Sequence, residues 1–176
     1  MSDLVAGEDF QQLFREFTFT AFRLENQGIY REPHEAEPLR QFLAGEQPDD
    51  RWLQPWVDNV RKATSEGRQF QRVRVLTEPL TDYLRFEMDL ALRQNIPAGE
   101  DIRAVSQPEA VGLGLPENTD FWMFDDERVA LMHFGDHGML GAEMLTDPDT
   151  VAQYREWCDR AWDVAVPHEQ WAKLLP

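Results

Sequence analysis

Arg68, Arg72 and Arg74 are the residues whose types and spacing most directly suggest binding chemistry. In the run Arg72-Val-Arg-Val, alternation puts Arg72 and Arg74 on one face of a strand and Val73 and Val75 on the other. A guanidinium is a planar fork of donors that suits phosphate or carboxylate. These three arginines are therefore the candidate site for an anion or for the acidic groups of a partner. If the sheet is covered on both faces, Arg72 and Arg74 must meet carboxylates from the N-terminal helices or line an open cleft. A second cluster is His133, Asp136 and His137, two imidazoles and a carboxylate that could ligate a divalent metal. Gly135 and Gly138 place these groups at a strand end and turn, so the expectation is one packed and one solvated histidine, with no metal held. Cys158 sits in an apolar helix face and reads as an inert thiol. No glycine-rich phosphate loop, cysteine pair or Ser/His/Asp elbow is present, and no cofactor is expected.

The elements that must position these groups follow from periodicity. Phe10, Leu13, Phe14, Phe17, Ala21 and Leu24 recur at helical spacing, which predicts a helix through much of 10–24. Phe19 and Phe22 fall off that stripe. Pro38 can open a short helix carrying Leu39, Phe42 and Leu43. Trp52, Trp56, Val60 and Ala63 make a one-sided stripe ending near Gly67. Strand alternation begins at Phe70, Thr77 is the expected N-cap of a helix over 80–95, and 101–105 reads as a second strand. That order predicts a parallel crossover. The stretch 107–118 is rich in Gly and Pro and reads as a loop. Two apolar strands over 121–124 and 129–134, joined by an Asp/Glu turn, belong in a covered sheet. A further strand is expected within 139–145. A last long helix is capped by Asp147 and Pro148 and carries Val151, Tyr154, Cys158, Trp162 and Ala165. Trp157 lies off its stripe.

Composition limits the partners. The chain has 176 residues, 42% of them hydrophobic and 11% aromatic, which suffices for a core. Its 33 acidic residues outnumber 17 bases, for a net charge of −16. Such a field repels nucleic acid and anionic membrane and attracts basic proteins. No apolar run is long enough to span a membrane and the N-terminus is not a secretory signal, so the cytoplasm is the expected compartment. All the bases are arginine except Lys62 and Lys173.

Two resemblances add to this reading. The segment from Asn118 to Gly135 resembles the central hairpin of the phospholipase-D superfamily. The spacing of that superfamily's His-x-Lys-x4-Asp signature falls on Asn118, Asp120 and Asp125. Asn cannot act as the imidazole nucleophile, and Asp reverses the charge that would hold phosphate. The resemblance thus implies a phospholipase-D-like scaffold without its catalysis. The whole chain also resembles an uncharacterised family of high-GC, actinobacterial bacteria, often encoded beside helix-turn-helix regulators. That likeness is carried by Thr20-Ala-Phe-Arg-Leu-Glu25, Phe70-Gln-Arg-Val-Arg-Val75, Ala98-Gly-Glu-Asp-Ile-Arg103, Asp120-Phe-Trp-Met-Phe-Asp125 and Ala165-Val-Pro167. The expected fold is α/β (α+β): a phospholipase-D-like mixed sheet flanked by helices over 68–176, with an N-terminal helical segment over 1–67 packed on it as one unit. The expected function is that of a non-catalytic cytoplasmic regulatory protein whose acidic surface engages a basic DNA-binding regulator. Direct contact with nucleic acid or membrane is not expected, and homodimer formation stays open. The alternative is a hydrolase or phosphodiesterase with an unrecognised site at His133, Asp136 and His137.

Overall fold

A computed structural model describes residues 4–173. Its centre is a seven-stranded mixed sheet. The strands are β1 (Thr20–Glu25), β2 (Gln69–Leu76), β3 (Asp101–Ser106), β4 (Asp120–Phe124), β5 (Arg128–Gly135), β6 (Gly138–Leu145) and β7 (Val166–Pro167). Their spatial order is β6-β5-β4-β1-β2-β3-β7. β2 and β3 run parallel, as the strand–helix–strand spacing predicts; β1 also runs parallel to β2, and the other pairs are antiparallel. The mixed sheet flanked by helices is the fold class expected from the sequence.

The helices are α1 (Gly7–Glu16), α2 (Ala36–Leu43), α3 (Gln54–Ser65), α4 (Asp82–Leu90), α5 (Ile96–Ala98), α6 (Gln107–Gly112), α7 (Pro148–Val164) and α8 (His168–Ala172). A π-helical turn, Ala91–Asn95, joins α4 to α5.

Three sequence expectations are corrected. Residues 20–25 are not helical: the helix ends at Glu16, and β1 enters the middle of the sheet. Phe17, Ala21 and Leu24 are buried in any case, so a helical stripe seemed to continue across the break. Residues 107–112 form α6, held by a capping box in which Ser106 and Glu109 each satisfy the other's backbone N–H. The helix after β2 is capped by Thr81, whose hydroxyl accepts from Leu84 N–H, and not by Thr77.

The two faces of the sheet differ. One carries Phe22, Leu24, Val73, Val75, Phe121, Met123 and Val129, and packs on α7 through Val151, Tyr154, Cys158 and Ala161. The other is aromatic at one end, where Phe70, Trp122 and Phe124 meet Phe10 and Phe14 of α1 and Val57 and Val60 of α3. At its far end Leu76 and Ala104 meet Leu84 and Met88 of α4. Charged side chains lie between those apolar ends.

Candidate functional site

Strand register builds the charged floor. Arg23 lies opposite Arg72, and Glu25 opposite Arg74, in the β1–β2 pair. Arg23 lies opposite Trp122 in the β1–β4 pair. Two arginines side by side repel, and a carboxylate must offset them. Glu25 does so: Arg74 Nε donates to it at 2.7 Å and Arg72 Nη1 at 2.8 Å, while Arg23 Nε lies 3.2 Å away. Burial works against the Glu25 charge, but Arg74, Arg72 and Arg23 outweigh it and hold the carboxyl well below its usual range.

Two further carboxylates complete the floor. Glu100 accepts from Arg72 Nε at 3.1 Å, from Asn95 Nδ2 at 2.7 Å and from the Trp56 indole. Its backbone is placed by Gly99, at φ 120°, where a Cβ would sit 2.8 Å from Thr64. Asp120 accepts from Arg23 Nη2 at 3.2 Å, from Asn26 N–H at 2.9 Å and from the Tyr30 hydroxyl. Burial still pushes the Asp120 carboxyl upward despite these donors. The Arg23 guanidinium lies 5.6 Å from the Trp122 ring and 5.8 Å from the Tyr30 ring.

Above this floor is a cavity of about 600 Å³. Phe10 and Phe14 of α1 wall one side, and Trp56 of α3 stands beside them. The segment between β1 and α2 contributes Tyr30, Glu32, His34 and Glu35, and α4 contributes Tyr83 and Glu87. Arg23, Glu25, Arg72 and Trp122 face it from the sheet. A concave site of this size with aromatic walls and a few fixed polar groups has the usual form of a small-molecule pocket.

Glu35 and Glu87 are the least compensated groups here. Arg74 Nη2 donates to Glu87 Oε2 at 3.1 Å, while Glu87 Oε1 is buried without a hydrogen-bond partner. Glu35 accepts from the Tyr83 hydroxyl. Burial, and next the charge of Glu87, push the Glu35 carboxyl up to about 8. Burial likewise raises the Glu87 carboxyl. Trp52 Nε1 and Arg23 Nε, also on the cavity wall, are buried donors with no hydrogen-bond partner. Buried polar atoms of this kind are rare in a folded chain and call for a physical explanation.

The structure brings Arg72 and Arg74 together but not Arg68. Arg68 pairs with Glu66 and donates to the Arg15 and Phe17 carbonyls at the start of β2. The partners of Arg72 and Arg74 come from β1, α4 and the turn before β3, not from the N-terminal helices, because residues 20–25 are a strand. Arg72 also faces the cavity. His133 points toward Glu143, 3.8 Å away, and Asp136 toward Arg31, 3.5 Å away. Among the described residues no three His, Cys, Asp or Glu side chains converge on a metal position.

The three phospholipase-D signature positions are dispersed. Asn118 is exposed ahead of β4, Asp120 is in the floor, and Asp125 lies beyond the other end of the strand. Asp125 and Asp126 take the positive φ values, 55° and 57°, of the tight turn expected there. Asp125 also accepts from the backbone N–H groups of Thr18, Phe19 and Thr20, which ties α1 and β1 to the hairpin. Cys158 is buried, and burial raises its thiol well above the usual range, consistent with an inert role. Trp157 is half-buried against Tyr154.

Arg23, Glu25, Glu35, Tyr83, Glu87 and Glu100 were not among the sequence candidates. One signal was available: the stretches that carried the family likeness hold Arg23, Glu25, Arg72, Arg74, Glu100 and Asp120, charged residues inside otherwise apolar strands and turns.

Comparison with known proteins yields one family. The model of a domain of unknown function, DUF6879, matches residues 8–173. No curated protein matches the chain.

Proposed function

The chain belongs to the DUF6879 family, and we propose that it is a non-catalytic binding protein that holds a small molecule over its charged floor. The observation that carries this reading is the cavity of about 600 Å³ whose walls present buried polar atoms without partners. A purely structural ion network would be expected to close on itself, since an unpaired buried polar atom costs about 1–3 kcal/mol. The groups at the cavity are also arranged for holding and not for attack. Its arginines are tied to carboxylates, and among the described residues no serine or cysteine lines it.

The regulatory part of the proposal rests on the surface. Arg23, Arg72 and Arg74 are buried together with Glu25, Glu100 and Asp120, so the excess of acidic residues falls on the exterior. That exterior suits a basic protein, and a helix-turn-helix regulator in the cytoplasm is the partner we propose. A degenerate phospholipase-D ancestry is compatible with the mixed sheet and adds no chemistry, given the dispersal of Asn118, Asp120 and Asp125. The hydrolase alternative has less support, because His133 and Asp136 turn to separate partners.

The test is to purify the protein from its native host, denature it, and analyse what is released. A small molecule at close to one per chain, reduced in a Trp122→Ala variant that still folds, supports the proposal. Protein that releases nothing but turns over generic phosphoesters, with that turnover lost in His137→Ala, overturns it in favour of the hydrolase.

A further inference from the structure

The cavity's ligand class follows from its charges, a step that rests on the binding reading above. Three arginines, Arg23, Arg72 and Arg74, meet five carboxyl groups, Glu25, Glu35, Glu87, Glu100 and Asp120. Glu25, Glu100 and Asp120 each take at least one close guanidinium and further donors, and together they balance the three arginines. Glu35 and Glu87 are left over, with one neutral hydroxyl, one already shared arginine and the His34 imidazole, 3.9 Å from Glu35, beside them. Both line the cavity.

The same cavity lining also offers donors. Arg23, whose side chain is only 9% exposed, makes no hydrogen bond at Nε although that atom lies 3.2 Å from Glu25, and the Trp52 indole N–H has no partner. Aromatic rings line the cavity as well: Tyr30 meets Phe134 edge-on at 5.1 Å, and Trp56 meets Trp122 at 5.8 Å. A guest that satisfied this arrangement would place positive charge at the acids, an acceptor oxygen at the donors, and an apolar body against the rings.

We infer that the cavity binds a small organic amine, its ammonium group held by Glu35 and Glu87 and an oxygen of the same molecule held by Arg23 and Trp52. An anion would instead face two surplus carboxyls, with the arginines already engaged. A neutral guest would bring no positive charge to the unpartnered Glu87 Oε1. The charged and titratable groups that face Glu35 and Glu87 are Glu25, Arg23, Arg72 and Arg74 from the sheet, Tyr83 from α4, and Tyr30, Glu32 and His34 from the segment before α2. Buried His168 of α8 also stands close to Arg74. Because burial keeps Glu35 protonated up to about pH 8, amine binding must displace a proton and should tighten as pH rises.

The experiment uses three molecules of one shape: phenylethanolamine, which is cationic, phenylethanediol, which is neutral, and mandelate, which is anionic. Binding to the full chain is measured by calorimetry and by tryptophan fluorescence. The expected result is that phenylethanolamine binds at least about tenfold more tightly than either analogue, with affinity rising about tenfold between about pH 6 and about pH 7.5. Glu87→Gln should weaken the amine about tenfold or more, and Glu35→Gln should flatten the pH dependence, both in protein whose melting shows it folded. If mandelate or phenylethanediol binds as well as the amine, or the pH dependence survives in Glu35→Gln, the cationic assignment falls while the binding reading stands. If none of the three binds, both fall.

Discussion

The two faces of the central sheet are made by alternate residues of the same strands, yet they solve different problems. On the face toward α7, Phe22, Leu24, Val73, Val75, Phe121 and Met123 form a dry core. On the other face the intervening positions hold Arg23, Glu25, Arg72, Arg74 and Asp120. Burial of apolar surface stabilises the first directly, by roughly 25 cal/mol per Å². The second places desolvated charges against one another, and such a network is often no more stable than well-packed apolar side chains. Their difference therefore suggests that stability is supplied mainly by the α7 face and that the charged face is present for what the cavity above it holds.

The largest effect should come from breaking the charged face at its hub. Glu25→Ala leaves three buried guanidinium groups with one carboxylate fewer, and should cost about 3–5 kcal/mol in urea denaturation. A loss below about 1 kcal/mol would mean that the network is solvated and not a buried floor. On the opposite face Leu24→Ala, one residue away, should cost about 2–4 kcal/mol by transfer and cavity terms. It should leave amine binding unchanged, whereas the Glu25 variant should impair it. Equal impairment by both would erase the distinction between the faces.

A smaller effect sharpens the comparison through pH. The Glu35 carboxyl is raised from 4.5 to about 8 in the folded chain, so the native state holds a proton that the unfolded chain releases between those values. Its stabilising contribution is complete below about pH 4.5 and is lost as pH rises through about 8. Glu35→Gln should therefore gain on the parent as pH rises, by roughly 1–3 kcal/mol between about pH 6.5 and about pH 9. Buried His168, lowered to about 4 by burial and next by Arg74, destabilises the fold only as pH drops below about 6.5, so the comparison belongs above that value. The smallest effect belongs to neither face. Asp125→Asn tolerates the positive φ but weakens the three N–H contacts to α1 and β1, and should lower stability by about 1 kcal/mol without touching the cavity. Thermal melts across pH check both variants.

What was legible in the sequence tracks this same contrast. The α7 face was readable because each strand carried its own alternation and α7 its own stripe. β2, β4, β5 and β6 could be recognised from their own residues. β1 could not: Phe17, Ala21 and Leu24 continue the spacing of α1, and only the tertiary fold separates them. Missing β1 also hid Arg23 and Glu25. Ser106 and Glu109 did announce α6 by a local rule, but the neighbouring Gly and Pro residues spoke for a loop. Of the site, Arg72 and Arg74 were legible as one strand face. Glu35, Tyr83, Glu87 and Glu100 were not, because they come from segments far apart in the chain and meet only when those segments fold over the sheet.

The most direct test of the account uses five of the six tryptophans as reporters on both faces. Trp52, Trp56 and Trp122 line the cavity, while Trp157 and Trp162 pack on the α7 face. In protein labelled with nitrogen-15 at its indoles, phenylethanolamine should shift the resonances of Trp52, Trp56 and Trp122 and leave those of Trp157 and Trp162 in place. Shifts confined to Trp157 and Trp162, or no shift at any indole, would contradict it.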